Sequence, residues 1–534
     1  MVYRVGSWKD LIKRECPSTL EECDDADFQM LAKQIRGSNV TLGLMEHQIG
    51  SACFLASRMG GILADDMGLG KTRSALAALR ILGGSCTPAA VVTPAGLRRS
   101  WKREAEIYWP GCRVVLADKI EDLNAGFDIA VISYGNLKKF IGGGGLPRFE
   151  TLIVDEAHSF KNARAVFGEQ KKAYMERIAE GEDPGVHRTA LLFDLAASIP
   201  RVYCLTGTPV LSRPKELFNL LKLTRHPLGR NFISFSSRYC GGRQGRFGWV
   251  SDGCTNPDEL KNKLRNHVLR RHKSKVLQLP AKKIERIEVS MDMNTHFRYA
   301  SAWDDYMTMV RETRTEAEAA RVWQARHLVQ ISLLRQICSD AKVEHAVERA
   351  STHLGKTVIF STFSKTLERL AAELQKRGVG FALYDGSLNE KKRSAAVDSF
   401  QNDPGTRVFL AQTEAAKVGL TLTAATLTLF MDLVYTPADH FQAEDRCYRI
   451  GQDQEVKIEY LLCRGTVEDH LQELHNAKKS VIAKIFDEDI SDSEDVLTVD
   501  VRKELLTRLR GEARHSKKQS TGELNFLEVQ NNAA

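Results

Sequence analysis

Nine consecutive residues, Ala64-Asp65-Asp66-Met67-Gly68-Leu69-Gly70-Lys71-Thr72, have the types and spacing to hold a phosphate chain. Gly68 and Gly70 let backbone N–H groups turn inward around phosphate oxygens. A lysine following the glycines reaches terminal phosphates, and the Thr72 hydroxyl can ligate magnesium. The strict pattern has glycine where this chain has Asp65. A second group lies downstream. Thr151-Leu152-Ile153-Val154 is an apolar run that ends in Asp155-Glu156-Ala157-His158. ATP hydrolysis needs one carboxylate on magnesium and another to orient or deprotonate water. Asp155 fits the first role and Glu156 the second. Alone, two acids after a strand could also mark a helix N-cap region.

These residues need elements to position them. Gly61-Ile62-Leu63-Ala64 reads as the end of a strand, and Arg73 to Arg80 has strong helix formers at helical spacing. Strand, glycine loop and helix is the context a P-loop requires. Upstream, Leu42 to Gln48 and then Ala52 to Ala56 predict an amphipathic helix, with Gln48 about 20 residues before Lys71. The Gln48 amide can meet both a donor and an acceptor on adenine. Ala89 to Val92 and Phe127 to Ile132 read as buried strands, followed by Thr93 and by Ser133-Tyr134. Leu97 to Tyr108 predicts a helix exposing Arg98, Arg99, Lys102 and Arg103, and strand-end loops with basic helix starts often hold backbone phosphates. Arg238 to Trp249 mixes arginines with aromatics, and Arg265 to Lys275 is dense in Arg, Lys and His. Both suit nucleic acid, or a solvated basic face. Strand–helix alternation resumes at Thr357 to Ser361 and continues through Phe381 to Ser387, Arg407 to Ala411 and Leu427 to Asp432. That predicts a second α/β domain with a parallel sheet. Within it, Arg446 and Arg449 are three apart, so on a helix they share one face and could clamp a phosphate.

The bulk properties set limits. A chain of 534 residues allows about three domains at roughly 150 residues each. The formal net charge of +8 is compatible with a polyanionic partner. The 11 cysteines are scattered with no C-x-x-C pair, and no signal peptide is evident, which favours free thiols in a reducing compartment. No metal-ligand cluster of His and Cys appears. No apolar run reaches the ~18 residues of a membrane span, so a soluble intracellular protein is expected, in nucleus or cytoplasm according to organism.

Together these blocks resemble the SWI/SNF family of DNA-dependent ATPases in helicase superfamily two. The resemblance runs from Leu44 to His470. It rests on Asp66 to Thr72, Asp155 to His158 with Lys161-Asn162, Leu205-Thr206-Gly207-Thr208-Pro209 with Glu216-Leu217-Phe218, Val358 to Ser361, Asp385-Gly386-Ser387, and Gln442 through Gln452. The Arg449-Ile450-Gly451-Gln452 ending is the most specific of these. Leu211 to Leu217, Arg238-Tyr239-Cys240, Gly248-Trp249, Leu269 to Lys273 and Leu279 to Lys282 resemble the annealing-helicase subgroup. The family tolerates an acid at the position of Asp65. Ala415 to Leu422 departs from the family pattern, with Lys417 in place of a glycine and Thr421 in place of an asparagine.

The resemblance implies an α/β fold of two RecA-like lobes, parallel sheets flanked by helices, with helical insertions between them. The expected organisation is an N-terminal extension over 1–40, a first lobe over 41–235, a basic and helical insertion over 236–347, a second lobe over 348–470, and a helical brace with a polar tail over 471–534. ATP and Mg2+ are the expected cofactors. Gln48, Asp66, Met67, Gly68, Leu69, Gly70, Lys71, Thr72 and Gln442 would line the nucleotide, with Thr72 and Asp155 on the metal. Lys71, Asp155, Glu156, Arg446 and Arg449 would carry catalysis. Thr93, Ser133, Tyr134, Asp385, Gly386, Ser387 and Lys417 would lie along a DNA track. The implied activity is that of a monomeric translocase on double-stranded or branched DNA. A strand-separating helicase and a nucleotide-gated recruitment module are the alternatives.

Overall fold

The computed structural model describes residues 35, 38–40, 42–141, 147–160, 188–207, 214–245, 248–251, 253–312, 320–388, 390–414, 420–435, 437–486 and 505. Lys417, Lys161-Asn162, Thr208-Pro209, nearly all of the N-terminal extension and almost all of the chain beyond 486 lie outside the described residues. The chain divides into two units. One is built on residues 1–278 with 481–498, the other on 279–480 with 499–534.

The first unit is organised on a seven-stranded sheet. Its strands are β1 (Gly60–Leu63), β2 (Ala89–Thr93), β3 (Val114–Ala117), β4 (Ile129–Ser133), β5 (Thr151–Asp155), β6 (Arg201–Leu205) and, after the short antiparallel hairpin β7 (Arg243–Gly245) and β8 (Gly248–Val250), β9 (Val268–Leu269). The order is β3-β4-β2-β5-β6-β1-β9, and every pairing is parallel. β2, β4, β5 and β6 are buried along their whole length, as expected for strands covered on both faces. Alternation sorts their side chains. Val91 joins the core beneath α1 (Glu46–Ala56), α2 (Lys71–Leu82) and α3 (Arg98–Tyr108). Ala90 and Val92 join the opposite core, beneath α4 (Arg188–Ala197), α5 (Leu217–Leu223), α6 (Phe232–Tyr239) and α7 (Pro257–Leu264).

The second unit carries β10 (Lys282–Glu288), β11 (Lys356–Ser361), β12 (Phe381–Tyr384), β13 (Val408–Gln412), β14 (Ala425–Phe430) and β15 (Val456–Leu462) in the order β10-β15-β14-β11-β13-β12, again all parallel. Its helices are α8 (Met293–Glu312), α9 (Ala320–Ala341), α10 (Val343–Thr352), α11 (Ser364–Lys376), α12 (Glu390–Asn402), α13 (Pro437–Cys447) and α14 (Val467–Phe486).

The boundaries differ from those read in the sequence. The first unit does not stop at 235, because β9 extends its sheet: Ile62 pairs with Val268 and Leu63 with Leu269. The second does not begin at 348, because β10 pairs with β15 along seven residues. Residues 236–347 are therefore shared between the two sheets. The basic and aromatic stretches they contain are also partly committed inside the fold. Arg238 pairs with Glu259, the Tyr239 hydroxyl donates to Glu259 at 2.8 Å, and the Trp249 indole donates to Ser236 at 2.9 Å. Among the described residues no helix is long and apolar enough to cross a membrane, and the nine cysteines carry free thiols.

Candidate ATP site

Parallel strands bring their C-terminal ends to one edge of a sheet, where α/β folds bind ligands. Register fixes that edge here. Leu205 lies beside both Leu63 and Asp155, so the loops after β1, β5 and β6 leave side by side. The Thr206 N–H closes the row on the Leu63 carbonyl at 3.0 Å.

The loop after β1 is shaped by Gly68 and Gly70, at φ 80° and 79°. Those left-handed angles are cheap for glycine alone. Gly70 caps α2, and Gly83 at φ 61° ends it. Lys71 Nζ donates to the carbonyls of Asp65 and Asp66 at 2.7 and 3.1 Å, so the ammonium lies inside the loop. Gly207 meets the same place: a Cβ there would stand 2.6 Å from the Met67 side chain and 3.4 Å from Lys71 Nζ. Asp65 points away from the cradle. Its buried carboxylate accepts from Ser51 Oγ at 2.7 Å, and burial raises its pKa. The acid here is thus engaged by Ser51.

Gln48 sits beneath the loop rather than out at a pocket wall. Its Nε2 donates to Leu69 O at 3.1 Å, its Oε1 accepts from Met45 N at 3.0 Å, and it is 4% exposed. His47 Nε2 lies 2.9 Å from the same Leu69 carbonyl. No motif predicts the outer brace on this loop. Asp66 N donates to Arg271 O at 3.0 Å, Lys273 N donates to Asp66 Oδ2 at 2.9 Å, and His272 lies 3.5 Å from that carboxylate. The basic run after β9 thus serves the loop's shape in addition to its charge.

Asp155 ends β5 and is 7% exposed. Its Oδ2 accepts from the Trp101 indole at 2.7 Å and from Thr93 Oγ1 at 3.1 Å, and its Oδ1 accepts from the Glu156 N–H at 3.0 Å. Burial first, and then the neighbouring Glu156, push its pKa up to about 6. Glu156 holds φ 49°, a left-handed conformation unusual for a residue with a side chain. His158 Nδ1 stands 3.3 Å from Glu156 Oε2 and 3.2 Å from Thr206 Oγ1, joining the loops after β5 and β6.

The sequence places Thr93, Ser133 and Tyr134 along a DNA track, and the structure buries all three, at 0%, 5% and 7% exposure. The Thr93 hydroxyl is spent on Asp155, and Tyr134 packs edge-on against Phe160 at 4.8 Å. They stand at strand ends inside the sheet edge, behind its surface. Asp385-Gly386-Ser387 differs. Gly386 and Ser387 are exposed, and Asp385 Oδ1 accepts from both N and Oγ of Ser387, at 2.9 and 2.6 Å.

In the second unit, Arg446 closes the last turn of α13, which ends at Cys447. Arg449 lies beyond the helix, so the two do not share a helix face. The turn instead brings them near each other: burial, and then the Arg446 guanidinium, hold Arg449 below its ordinary pKa. Arg449 donates to Leu420 O at 3.1 Å. Gly451 at φ 94° allows the turn, and Gln452 staples it, its Nε2 donating to the carbonyls of Thr423, Ala425 and Cys447 at 2.9, 2.9 and 3.1 Å. Gln442 is buried on α13.

The donor set fits the expected cofactor. A glycine loop with an inward ammonium suits a polyphosphate, and a hydroxyl with a carboxylate suits a hard cation such as Mg2+. Fold and site define a P-loop ATPase with two RecA-like units. The SNF2-related domain matches residues 26–177 and 189–343, and the helicase conserved C-terminal domain matches 340–451. The chain belongs to the SNF2-related family. It is 32% identical over 463 residues to the Caenorhabditis elegans SWI/SNF-related matrix-associated actin-dependent regulator of chromatin subfamily A-like protein 1 homolog, covering 83% of this chain and 62% of that one. It is 28% identical over 460 residues to the human DNA annealing helicase and endonuclease ZRANB3, covering 82% and 40%. The second relative carries the name of the subgroup that the middle segments resemble. The chain spans less than two thirds of either. Among solved structures, the Sulfolobus solfataricus SWI2/SNF2 ATPase core in complex with dsDNA matches with a TM-score of 0.39 at 20% identity, over 85% of this chain and 98% of that one.

Proposed function

We propose that this chain is an ATP-dependent translocase on double-stranded DNA that remodels or reanneals DNA or displaces bound protein. The observation that carries the reading is the gathering of Lys71, Asp155 and Glu156 at one sheet edge of the first unit; the second unit has an Arg446–Arg449 turn of its own. In this reading Lys71 and the loop amides bind the phosphates, with Asp66, Met67, Gly68 and Leu69 shaping the cradle and Gln48 and Gln442 completing the nucleotide site. Thr72 and Asp155 hold Mg2+, which supplies charge neutralisation at the phosphates. Glu156 orients the attacking water and takes its proton, while His158 fixes the carboxylate. Arg446 and Arg449 stabilise charge on the transferring phosphoryl group.

The DNA track uses Asp385-Gly386-Ser387 and the outward Arg99 and Arg103 of α3, all exposed or partly so. Contacts of this kind are to phosphates, so steep salt dependence and little sequence preference follow. The partner in this reading is double-stranded or branched DNA, and the protein acts inside the cell wherever DNA is held. One chain carries every part of the nucleotide site, so a monomer suffices. The test compares ATPase rates with duplex, single-stranded and forked DNA, alongside triplex displacement. Duplex stimulation with displacement and no unwinding supports the proposal. Strand separation would assign a helicase instead, and turnover indifferent to DNA would leave a recruitment module.

A further inference from the structure

Trp101 lies on α3, outside every motif that led to the site, and is 1% exposed. An indole N–H is a donor with no acceptor capacity, and leaving it buried without a partner is destabilising. The fold has brought it to Asp155 Oδ2 at 2.7 Å, with Thr93 Oγ1 on the same oxygen at 3.1 Å. The Glu156 N–H occupies one position on Oδ1, at 3.0 Å. An ionised carboxylate offers about four lone-pair sites, so two neutral donors fill Oδ2 and one site is left on Oδ1. A carboxylate held by a single donor can rotate and exchange its oxygens. Held on three sites it cannot.

We infer that Trp101 is a positioning residue for the magnesium ligand, locking Asp155 so that Oδ1 alone is offered to the cation. This rests on the magnesium–nucleotide reading above. Trp101 touches neither nucleotide nor metal and acts through Asp155, with Thr93 as its partner. Bonds of this kind behind metal ligands are typically worth about 10–100-fold in metal affinity.

The test is binding of N-methylanthraniloyl-ADP, followed by fluorescence anisotropy, in EDTA and across a Mg2+ titration, with the full chain and its Trp101→Phe and Thr93→Val variants. The midpoint of the Mg2+-dependent gain should rise about tenfold or more in Trp101→Phe and severalfold in Thr93→Val. Affinity in EDTA should stay at the parent value, and ATP turnover should recover at saturating Mg2+. An unchanged midpoint, or an equal loss with and without Mg2+, overturns the assignment and leaves Trp101 a packing residue. If the parent itself shows no Mg2+-dependent gain, the nucleotide reading falls, and this inference with it. Should Trp101→Phe not fold, the intact chain labelled with 15N-indole tryptophan decides. The one of its six indole resonances that Thr93→Val displaces must move when Mg2+ is added to the ADP complex, and its failure to move overturns the proposal.

Discussion

Asp155 and Glu156 are adjacent in the chain and opposite in circumstance. Asp155 is tied down through both oxygens, while Glu156, turned by its left-handed backbone, reaches His158. The first arrangement suits a ligand that must not move, the second a base held in reserve. Glu156→Gln keeps the shape and removes the basicity, so ATP turnover should fall by about 10²–10⁴-fold while nucleotide and DNA binding persist. Full turnover in a steady-state assay would remove Glu156 from the role of base. Lys71→Ala should instead weaken nucleotide binding itself, read by the same fluorescent nucleotide. These residues were legible in the sequence because phosphate chemistry dictates their types and order. Trp101 was not, since its hydrogen bond spans 54 residues and only the folded sheet brings its ends together.

Elements were legible where a strand is long and apolar, as in β2, β4 and β5. They were not where two residues suffice: β9 is Val268-Leu269 inside a basic run, and no pattern announces it. The end of α13 was misread for a related reason. Arg446 and Arg449 have helical spacing, but Gly451 and the Gln452 staple end the helix between them. The corner after α5 makes a separate point about pH. His226 and His267 lie 4.6 Å apart, and His267 Nε2 is 2.6 Å from Thr224 Oγ1. Burial pushes the His226 pKa down to about 4 and that of His267 well below its ordinary value. The folded state thus keeps both neutral, whereas the unfolded chain protonates them near 6.5. Their contribution to stability is complete above that pH and is lost as pH falls towards 4. The unfolding temperature of the first unit should drop over that window, and His226→Leu should flatten the drop. An unaltered pH profile in that variant would exclude His226 as the cause.

At the scale of the whole molecule, the two units each have their own sheet and cores, and the proposed function assigns catalytic roles to residues of both. Arg449→Ala should therefore bind nucleotide as the parent does and hydrolyse it about 10³-fold or more slowly, the usual worth of such an arginine. Single-turnover hydrolysis measures this, and parental turnover would take Arg449 out of the clamp. The second unit has a point of weakness of its own. Lys342 Nζ is buried against Glu468 at 2.6 and 2.7 Å and against Met431 O at 2.8 Å, which ties the start of α10 to α14. Lys342→Met leaves the buried Glu468 carboxylate without its cation, held only by the Cys463 N–H at 2.9 Å, and should cost about 3–5 kcal/mol in urea unfolding, most of it regained when Glu468→Leu is added. A single variant as stable as the parent would contradict this.

Lys71 lies on two carbonyls of its own loop. A newcomer must outbid those partial charges to draw the ammonium out, and a single phosphate group competes less well than a chain of two or three. Adenosine and AMP should thus leave the lysine where it is, while ADP and ATP should recruit it. On the proposed function such a loop would count charge before anything is hydrolysed, and in a cell full of nucleotides of every length that counting would be a filter in its own right.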